Sequence, residues 1–486
     1  MLYPNCETIE KLSGEYNTIP VCKELYADTA TPILLLRKLA ARSSRCFLLE
    51  SVEGGENWAR YSFLGFDPIL RAACKDGVVS LEGEREASIR EEKPLTALRR
   101  LMSRYRAPKL PGMPPFTGGL VGYFSYSMLG YAEPTLHLNG GEENDFDLML
   151  FDRIIAYDHF RQKILIIVNM QTDHVLENYG KAAAEMERIG HILSGEAPPL
   201  RQKDGGRAEF RCNVDKETYC GMVENTKEYI RNGDIFQAVI SRRFESKYDG
   251  SLINPYRVLR TTNPSPYMVY LRLDDMEMMC SSPETLVRLK DGRLSTFPVA
   301  GSRPRGKTEE EDLRLERELL SDEKELSEHN MLVDLARNDL GRISKMCSVK
   351  MMDYMMVHRY SQIMHLASRV ESDIAPDRDA LDAIEAVLPA GTLSGAPKIR
   401  ACQIIGEQER GSRGIYGGAL GYIDFSGNMD TCIAIRMAVK KNGTVTVQAG
   451  GGIVADSVPE LEYEESGNKA KAVIDAIIRA GEVEER

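Results

Sequence analysis

The sequence lacks the long apolar segments of a membrane protein. Its apolar runs, such as 164–168, are far too short to span a bilayer. Its first residues also lack the basic and apolar segments of a secretion signal. We therefore predict a cytoplasmic protein with no membrane partner.

Paired cysteines and clustered basic residues are also missing. The ten cysteines contain no CxxC pair, so neither a zinc site nor a redox pair is indicated. The net charge of -11 and the scattered Lys and Arg residues argue against nucleic acid as a partner. If the substrate is an anion, the protein must attract it with a metal ion, an arginine or backbone N–H groups.

The polar, turn-rich segment 193–207 divides the chain near residue 205. We expect an N-terminal half, 1–205, and a C-terminal half, 206–486. The sequences GGLVGY from Gly118 and GGALGY from Gly417 form a faint repeat across this division. They favour a duplication with related sheets in the two halves, with a chance match as the alternative.

Strand-like and helical patterns are mixed along the chain without strict alternation. The predicted strands are 154–157, 164–168, 267–273, 433–439 and 444–447, and the clearest predicted helices are 309–339 and 379–388. This mixture predicts an α+β fold with large antiparallel sheets.

Two carboxylate pairs have the spacing that places both side chains on one helix face. They are Glu325 with Glu328 and Glu462 with Glu465, and Lys469 follows one turn later. Solvated acidic faces are the common meaning of such pairs. If the two helices face each other, however, they offer the oxygen ligands that Mg²⁺ prefers.

The second helix follows a glycine run that is predicted to bind anions. Ser457 and Glu460 form a capping box that would start this helix. The N–H groups of 450–452 would form an anion-binding nest, with a plain turn as the alternative. Arg436, in a strand-like segment, is predicted to bind a substrate carboxylate, with a structural ion pair as the alternative. Tyr416 would add a hydroxyl group.

Six ordered blocks in the C-terminal half resemble one enzyme family. They are SSPETL from Ser281, FPVAGSRPRG from Phe297, SEHNMLVDLARNDLGRI from Ser327, LPAGTLSGAPK from Leu388, IYGGALGY from Ile415 and QAGGGIVADSVPELEYEESGNKA from Gln448. Over roughly residues 210–480 the chain is similar to the chorismate-utilising enzymes, which include anthranilate, aminodeoxychorismate, isochorismate and salicylate synthases. The resemblance implies large antiparallel sheets packed face to face with helices outside, and an active site in the C-terminal half.

The resemblance also implies roles for individual residues. Glu328 and Glu465 resemble Mg²⁺ ligands, supported by Glu325 and Glu462. The implied chorismate-binding residues are Gly301, Ser302, Thr392, Tyr416, Arg436, Gly450, Gly452 and Lys469; Ser302 replaces a commoner threonine. Glu284 would be the general acid for the departing C4 hydroxyl, and His365 would be the base that removes the C2 proton. Without the resemblance, a histidine in such an apolar segment is more often a core residue.

Two positions discriminate between members of this family. Members that add water resemble one another in having a lysine where this chain has Gln237, so the predicted nucleophile is ammonia. Aminodeoxychorismate synthases often have a lysine where this chain has Ala300, so an anthranilate-forming enzyme is favoured. The alternatives are an aminodeoxychorismate synthase and a catalytically inactive, tryptophan-binding sensor.

Two further segments resemble a site for feedback inhibition by L-tryptophan. They are LLES from Leu48 and NPSPYM from Asn263. Glu50 and Ser51 would hold the amino group, and Pro266, Tyr267 and Met268 would line the side chain of tryptophan. A strand end and a tight turn are the structural alternatives.

The chain is expected to obtain ammonia from a separate protein. No cysteine lies in a glycine-rich nucleophile turn, so the expected partner is a glutamine amidotransferase subunit, in an assembly of two large and two small subunits. The 21 methionines, including Met351, Met352, Met355 and Met356, are expected to pack in the core, with an adaptable partner surface as the alternative.

Overall fold

The computed structural model describes most of the chain. The described residues are 2–51, 60–83, 87–90, 93–136, 138, 140–196, 208–359, 363–409 and 411–483, without the side chains of 87–90, 302, 363 and 482. The predicted division near residue 205 lies outside the described residues.

The described residues form helices and strands along the whole chain. The helices are α1 (Cys6–Leu12), α2 (Pro32–Ala40), α3 (Leu95–Met102), α4 (Leu129–Ala132), α5 (Val175–Ser194), α6 (Lys216–Arg231), α7 (Ile253–Thr262), α8 (Glu309–Ser321), α9 (Glu323–Gly341), α10 (Ala380–Val387), α11 (Lys398–Gln408) and α12 (Pro459–Ile478), with short 3₁₀ helices at Tyr126–Met128, Gly391–Leu393 and Arg479–Glu482. The strands are β1 (Leu2–Tyr3), β2 (Thr18–Tyr26), β3 (Arg45–Glu50), β4 (Tyr61–Phe66), β5 (Leu70–Lys75), β6 (Val78–Gly83), β7 (Ala87–Arg90), β8 (Gly119–Phe124), β9 (Phe146–Phe151), β10 (Arg153–Asp158), β11 (Lys163–Gln171), β12 (Arg211–Cys212), β13 (Gln237–Lys247), β14 (Tyr267–Leu273), β15 (Met276–Ser282), β16 (Thr285–Lys290), β17 (Arg293–Thr296), β18 (Val299–Pro304), β19 (Lys350–Arg359), β20 (Ile363–Asp373), β21 (Gly395–Ala396), β22 (Ala419–Asp424), β23 (Met429–Ile433), β24 (Met437–Lys441) and β25 (Thr444–Ile453).

The strands form two large antiparallel sheets. The first sheet has the order β1-β2-β11-β10-β4-β3-β14-β15-β24-β25-β13-β12, with β21 also paired to β13. The second has the order β18-β20-β17-β16-β23-β22-β8-β9-β5-β6-β7, with β19 also paired to β20. The predicted α+β class with large antiparallel sheets is confirmed.

Both halves of the chain contribute strands to both sheets. They meet at β3 and β14 in the first sheet and at β8 and β22 in the second, where Gly122 pairs with Gly421. A Cβ at Gly122 would lie 2.0 Å from the Asp147 carbonyl oxygen, and one at Gly421 would lie 2.1 Å from that of Asp430. The glycine repeat therefore allows close backbone approach, and the sheets are shared between the halves instead of confined to one half each.

The sheets pack face to face with helices outside, as predicted. Phe47 and Met278 of the first sheet and Tyr123 and Leu420 of the second share the core between them. Helices α2, α5, α7 and α12 cover the outer face of the first sheet, and α3, α9 and α10 cover that of the second. Helices α6 and α11 pack on β13. None of the helices in the described ranges is long and apolar enough to cross a membrane.

Several predicted elements are confirmed and others are wrong in detail. The strands predicted at 154–157, 164–168, 267–273 and 444–447 and the helix predicted at 379–388 correspond to β10, β11, β14, β25 and α10. The helix predicted at 309–339 is two helices, because the Asp322 side chain caps a new start by accepting from the N–H groups of Lys324 and Glu325. The strand predicted at 433–439 is broken, because 434–436 carries the chain from β23 in the second sheet to β24 in the first.

The prediction that the methionines pack in the core is wrong for one strand. Met351, Met352 and Met356 lie on β19 and are 41, 47 and 55% exposed. This strand pairs with β20 at the end of the second sheet, and bulges interrupt the pairing. These three methionines therefore face solvent to a large extent, whereas Met355 on the same strand is partly buried against Leu319, Met364 and Leu366.

Candidate active site

A threonine and an arginine surround a carboxyl group that follows β15. The Thr392 hydroxyl, in the 3₁₀ helix Gly391–Leu393, donates to both oxygens of Glu284 at 3.2 Å. Burial raises the pKa of Glu284 to about 8, against the opposing effects of the Thr392 hydrogen bond and the positive charge of Arg436. Glu284 therefore carries its proton at neutral pH, as a general acid requires.

Arg436 lies where the chain passes between the sheets. Its backbone is left-handed, with φ +49°, and its carbonyl accepts a hydrogen bond from the Ser281 N–H at 3.0 Å. Burial lowers the pKa of Arg436, although the charge of Glu284 opposes this. Within the described part of the chain, Arg436 forms no ion pair. A half-buried guanidinium near a protonated carboxyl group is suited to bind an anion.

His365, on β20, lies in the same region. Its Nδ1 is 3.2 Å from the carbonyl oxygen of Gly301. Because a carbonyl only accepts, Nδ1 must carry the proton, and Nε2 is the nitrogen able to accept another. Burial and the charge of Arg436 lower the pKa of His365, and the bond to Gly301 opposes this shift. The imidazole is therefore neutral at neutral pH and suited to be a base.

Gly301 joins this region to α9. Its φ is +73°, and a Cβ there would lie 3.1 Å from a Glu325 carboxylate oxygen, so the position favours glycine. The next residue, Ser302, pairs with His365 across β18 and β20, and its side chain is outside the described set.

The two predicted carboxylate pairs lie on α9 and α12, close enough for the charge of Glu465 to affect Glu328. Burial raises the pKa of Glu328, and Glu325 and Glu465 raise it further, while Lys469 and Lys324 oppose the shift. The charge of Glu465 on α12 therefore affects the pKa of Glu328 on α9. The carboxylate oxygens on the two helices are the kind of ligand that a hard divalent cation prefers.

Positive side chains already bind some members of the acidic cluster, which consists of Glu325, Glu328, Glu462 and Glu465. Arg303 donates to Glu325 at 3.1 Å, and Lys469 pairs with Glu465 at 2.7 Å. Lys469 also donates to the carbonyl of Gly450 at 3.2 Å. No three acidic, histidine or cysteine side chains among the described residues converge into a preformed metal site. A cation would therefore need side-chain rotation to collect its ligands.

The predicted start of α12 is wrong. The helix begins at Pro459 after Val458, and no side chain caps it. The Ser457 hydroxyl instead donates to the Glu462 carboxylate at 2.7 Å. Ser457 therefore orients a member of the acidic cluster.

The predicted glycine nest is also wrong, because 450–452 belongs to β25. Gly450 pairs with Ser241 and Gly452 with Val239 of β13, while β24 pairs with β25 only as far as Val447. On its β24 side the glycine run therefore has no strand neighbour among the described residues, which leaves backbone groups open to a ligand.

Two polar side chains approach the glycine run. Tyr416 is buried, which raises the pKa of its hydroxyl, and the nearby backbone of Gly450 opposes this shift. A Cβ at Gly452 would lie 2.2 Å from the Gln237 Nε2 atom. Gln237 is 3% exposed, and its Oε1 has no hydrogen-bond partner among the described residues. It is therefore an acceptor suited to a ligand that donates.

The residues predicted to bind tryptophan lie together at β3 and β14, apart from this cluster. Met268 pairs with Glu50, whose carboxylate already accepts from Arg260 at 3.0 Å and from Tyr256 at 2.8 Å. Ser62 also donates to it at 3.2 Å. Ser51 and Pro266 lie at the ends of these strands. The groups that hold Glu50 were not predicted, because they are distant in the chain and lack a common motif.

A family model described as chorismate binding enzyme matches residues 44–475. The chain belongs to this family. Residues Glu284, His365, Arg436 and the two carboxylate pairs all lie within the matched range.

Relatives with curated names cover nearly the whole chain. Anthranilate synthase component 1 of Acetivibrio thermocellus is 45% identical, over 99% of this chain and 100% of that protein. The protein of the same name from Aquifex aeolicus is 44% identical, over 99% and 98%.

Solved structures share the fold. Anthranilate synthase component I from Streptococcus pneumoniae has a TM-score of 0.78 at 35% identity, over 93% of this chain and 99% of that chain. The menaquinone-specific isochorismate synthase of Escherichia coli has a TM-score of 0.70 at 17% identity, a likeness of fold alone.

Proposed function

We propose that this protein converts chorismate and ammonia into anthranilate, pyruvate and water. The arrangement that carries the proposal is Glu284 bonded to the Thr392 hydroxyl and His365 bonded through Nδ1 to Gly301, with Arg436 near enough to affect the pKa of both. This combination supplies an acid, a base and an anion-binding group in one site. The names of the relatives support the choice of product.

In the first step ammonia bonds to C2 of the chorismate ring, and the hydroxyl group at C4 leaves. Glu284 gives its proton to the departing hydroxyl, which leaves as water. Arg436 and Tyr416, with backbone groups at Gly450 and Gly452, bind the carboxylate of the enolpyruvyl group. In the second step His365 removes the C2 proton through Nε2, the bond between the ring and the enolpyruvyl oxygen breaks as the ring becomes aromatic, and the departing enolpyruvate takes up one proton to become pyruvate.

Gln237 and Ala300 support ammonia as the nucleophile and anthranilate as the product. The unpartnered Oε1 of Gln237 is able to accept a hydrogen bond from ammonia, but a neutral amide is too weak a base to activate water. The methyl group of Ala300 offers no amine that would attack the ring.

The proposed cofactor is Mg²⁺, held by Glu328 and Glu465 with support from Glu325 and Glu462. When bound, it would neutralise the ring carboxylate and withdraw electrons from the ring. Gly301, Ser302 and Thr392 would contact the ring, and Lys469 would orient Glu465 and Gly450.

The proposed regulator is L-tryptophan, bound near Glu50, Ser51, Pro266, Tyr267 and Met268. The proposed source of ammonia is a glutamine amidotransferase subunit, in a cytoplasmic assembly of two large and two small subunits. Since the ammonia chemistry lies on this chain, free ammonium salts should replace the partner.

The regiochemistry of amination tests the proposal. We would incubate the chain with chorismate, Mg²⁺ and ¹⁵N-ammonium and identify the product by mass spectrometry and NMR. We expect ¹⁵N-anthranilate with one equivalent of pyruvate. Accumulation of a 4-amino product, or of isochorismate without ¹⁵N, would reject the proposal in favour of a sister reaction.

A further inference from the structure

A buried ion pair between Arg413 and Glu409 lies behind the candidate site. The Arg413 Nε and one Nη donate to the two oxygens of Glu409 at 2.8 and 2.6 Å. The side chains of Arg413 and Glu409 are 2% and 8% exposed. Such a pair is costly to bury unless further hydrogen bonds satisfy it.

The remaining hydrogen bonds of Arg413 go to two backbone segments of the site. The guanidinium donates to the Leu393 carbonyl at 2.5 Å and to the Val239 carbonyl at 2.6 Å. Leu393 follows Thr392, which holds Glu284, and Val239 pairs with Gly452. The Arg413 side chain therefore joins the segment that contains Thr392 to β13, the strand beside the glycine run.

Arg413 also contacts the aromatic residue of the site. Its guanidinium carbon lies 5.8 Å from the ring centre of Tyr416 and 4.8 Å from that of Tyr126. Tyr416 in turn meets the Gly450 backbone. Arg413 thus contacts both Tyr416 and Leu393, the residue that follows Thr392.

Glu409 is itself held in place from the strand side. Its Oε1 accepts from the Ser241 N–H at 2.7 Å and from the Ser241 hydroxyl at 2.8 Å. Gln448 donates to the same hydroxyl at 2.8 Å. The carboxylate therefore has one position, and so does the guanidinium that it binds in a two-pronged manner.

We propose that Arg413, held by Glu409, is a positioning residue that keeps Thr392 against Glu284 and Tyr416 against Gly450. The inference rests on the proposed function, because it assigns Arg413 a part in orienting the acid and the carboxylate site. Lysine cannot replace it, since a single ammonium group does not present a planar fork to two carboxylate oxygens and two carbonyls.

The first test is Arg413→Lys in the full chain, assayed with chorismate, Mg²⁺ and ammonium. Misplacement of a site by about 1 Å can cost about 100-fold in rate, so we expect a fall in kcat of that order. The Thr392 bond lowers the pKa of Glu284, and Arg436 is the other group with this effect. Release of Thr392 should therefore move the basic limb of the kcat profile to higher pH, as Thr392→Val should.

Arg71→Lys is the matched control. Arg71 makes a two-pronged bond to the buried Asp147, at 2.8 and 2.6 Å, on strands distant from Glu284 in the second sheet. We expect this variant to lose thermal stability without a shift of the basic limb. If Arg413→Lys behaves in the same way, Arg413 is a structural residue and the inference is wrong.

Guanidinium rescue is an independent test. Ser241, Glu409 and Gln448 line an open cavity of about 520 Å³, which gives small ions a route to the vacated place in Arg413→Ala. We expect millimolar guanidinium to restore part of kcat, whereas urea, which is neutral and of similar shape, should not. Equal responses to guanidinium and urea, or none, would count against the inference. If Arg413→Ala does not fold, Glu409→Gln should show the same shift of the basic limb.

These results separate the inference from the proposed function. A wild-type chain that makes no anthranilate contradicts the proposed function. A crystal structure of Arg413→Lys still tests the inference in that case. Thr392 should then lie beyond 3.5 Å from both Glu284 oxygens, and an unchanged Thr392 position would overturn the inference.

Discussion

At the scale of single residues, burial gives the proposed acid and the proposed base the protonation states that their roles require. The pKa of Glu284 rises to about 8 because burial outweighs Thr392 and Arg436. Burial and the same arginine lower the pKa of His365. A carboxylic acid and a neutral imidazole thus coexist at neutral pH, where a glutamate with its ordinary pKa would have lost its proton.

We predict a bell-shaped pH profile of kcat for anthranilate formation. Activity should fall as the pH rises through about 8, because Glu284 loses the proton it must donate. It should also fall on the acid side at a pH below the ordinary pKa of histidine, because His365 becomes protonated. Steady-state rates with saturating chorismate and a constant concentration of free NH₃ would measure both limbs. A rate that keeps rising well above pH 9 would exclude Glu284 as the acid.

The sequence identified residues that lie in recognisable blocks, but not those that act across the fold. Glu284, His365 and Arg436 were predicted by resemblance and are brought together by the structure. Arg413 was missed although it lies three residues before Tyr416, since its contacts at Val239 and Leu393 are distant in sequence. No local pattern distinguishes such an arginine from a surface charge.

At the scale of elements, α9 and α12 bring together carboxylates that repel each other. Helical spacing was sufficient to predict that each pair shares a face. That the charge of Glu465 would affect Glu328 could not be predicted from spacing alone. The broken strand at 434–436 was likewise missed, because alternation does not reveal a change from one sheet to the other.

We predict that Glu328→Gln stabilises the metal-free protein while it abolishes activation by Mg²⁺. The folded-state pKa of Glu328 is raised, so its favourable contribution exists only at low pH and is lost as the pH rises through that pKa. At pH 7 the charged carboxylate therefore costs stability, so the variant should melt at a higher temperature. Melting temperature in EDTA and an Mg²⁺ titration of chorismate turnover measure the two effects.

The exposed Glu323, on the same helix, provides the control. Glu323→Gln removes a negative charge from the first turn of α9, so it should lower the melting temperature in EDTA slightly and leave the response to Mg²⁺ unchanged. If Glu328→Gln lowers the melting temperature at pH 7 and leaves the Mg²⁺ response intact, Glu328 is not a member of the cation site.

At the scale of the whole molecule, the shared sheets connect the proposed tryptophan site with the acid. Tyr267 pairs with Ser282, two residues before Glu284. The Tyr267 hydroxyl also bonds to Thr285 at 2.9 Å and donates to Asp430 at 2.7 Å. A ligand that moves Tyr267 would therefore act on Ser282 and Thr285, which lie on either side of Glu284 in the chain. The sequence predicted the fold class but not this joining of the halves, because strand order depends on long-range pairing.

We predict that Tyr267→Phe weakens inhibition by tryptophan by at least tenfold. The substitution keeps the ring but removes the hydroxyl that reaches Thr285 and Asp430. The effect of bound tryptophan on the proposed active site should become weaker, while activity without tryptophan should remain close to that of the wild type. Inhibition curves at fixed chorismate measure the change. Unaltered inhibition would show that the coupling does not pass through this hydroxyl.

Anthranilate fluorescence from the purified chain tests the central claim most directly. The assay contains chorismate, Mg²⁺ and ammonium at pH 7, and it compares the wild type with Glu284→Gln. We expect fluorescence that requires Mg²⁺ and ammonium and falls about 100-fold or more in the variant, the lower end of what a positioned general acid contributes. Absence of anthranilate from the wild type, or equal rates for both proteins, would contradict this claim.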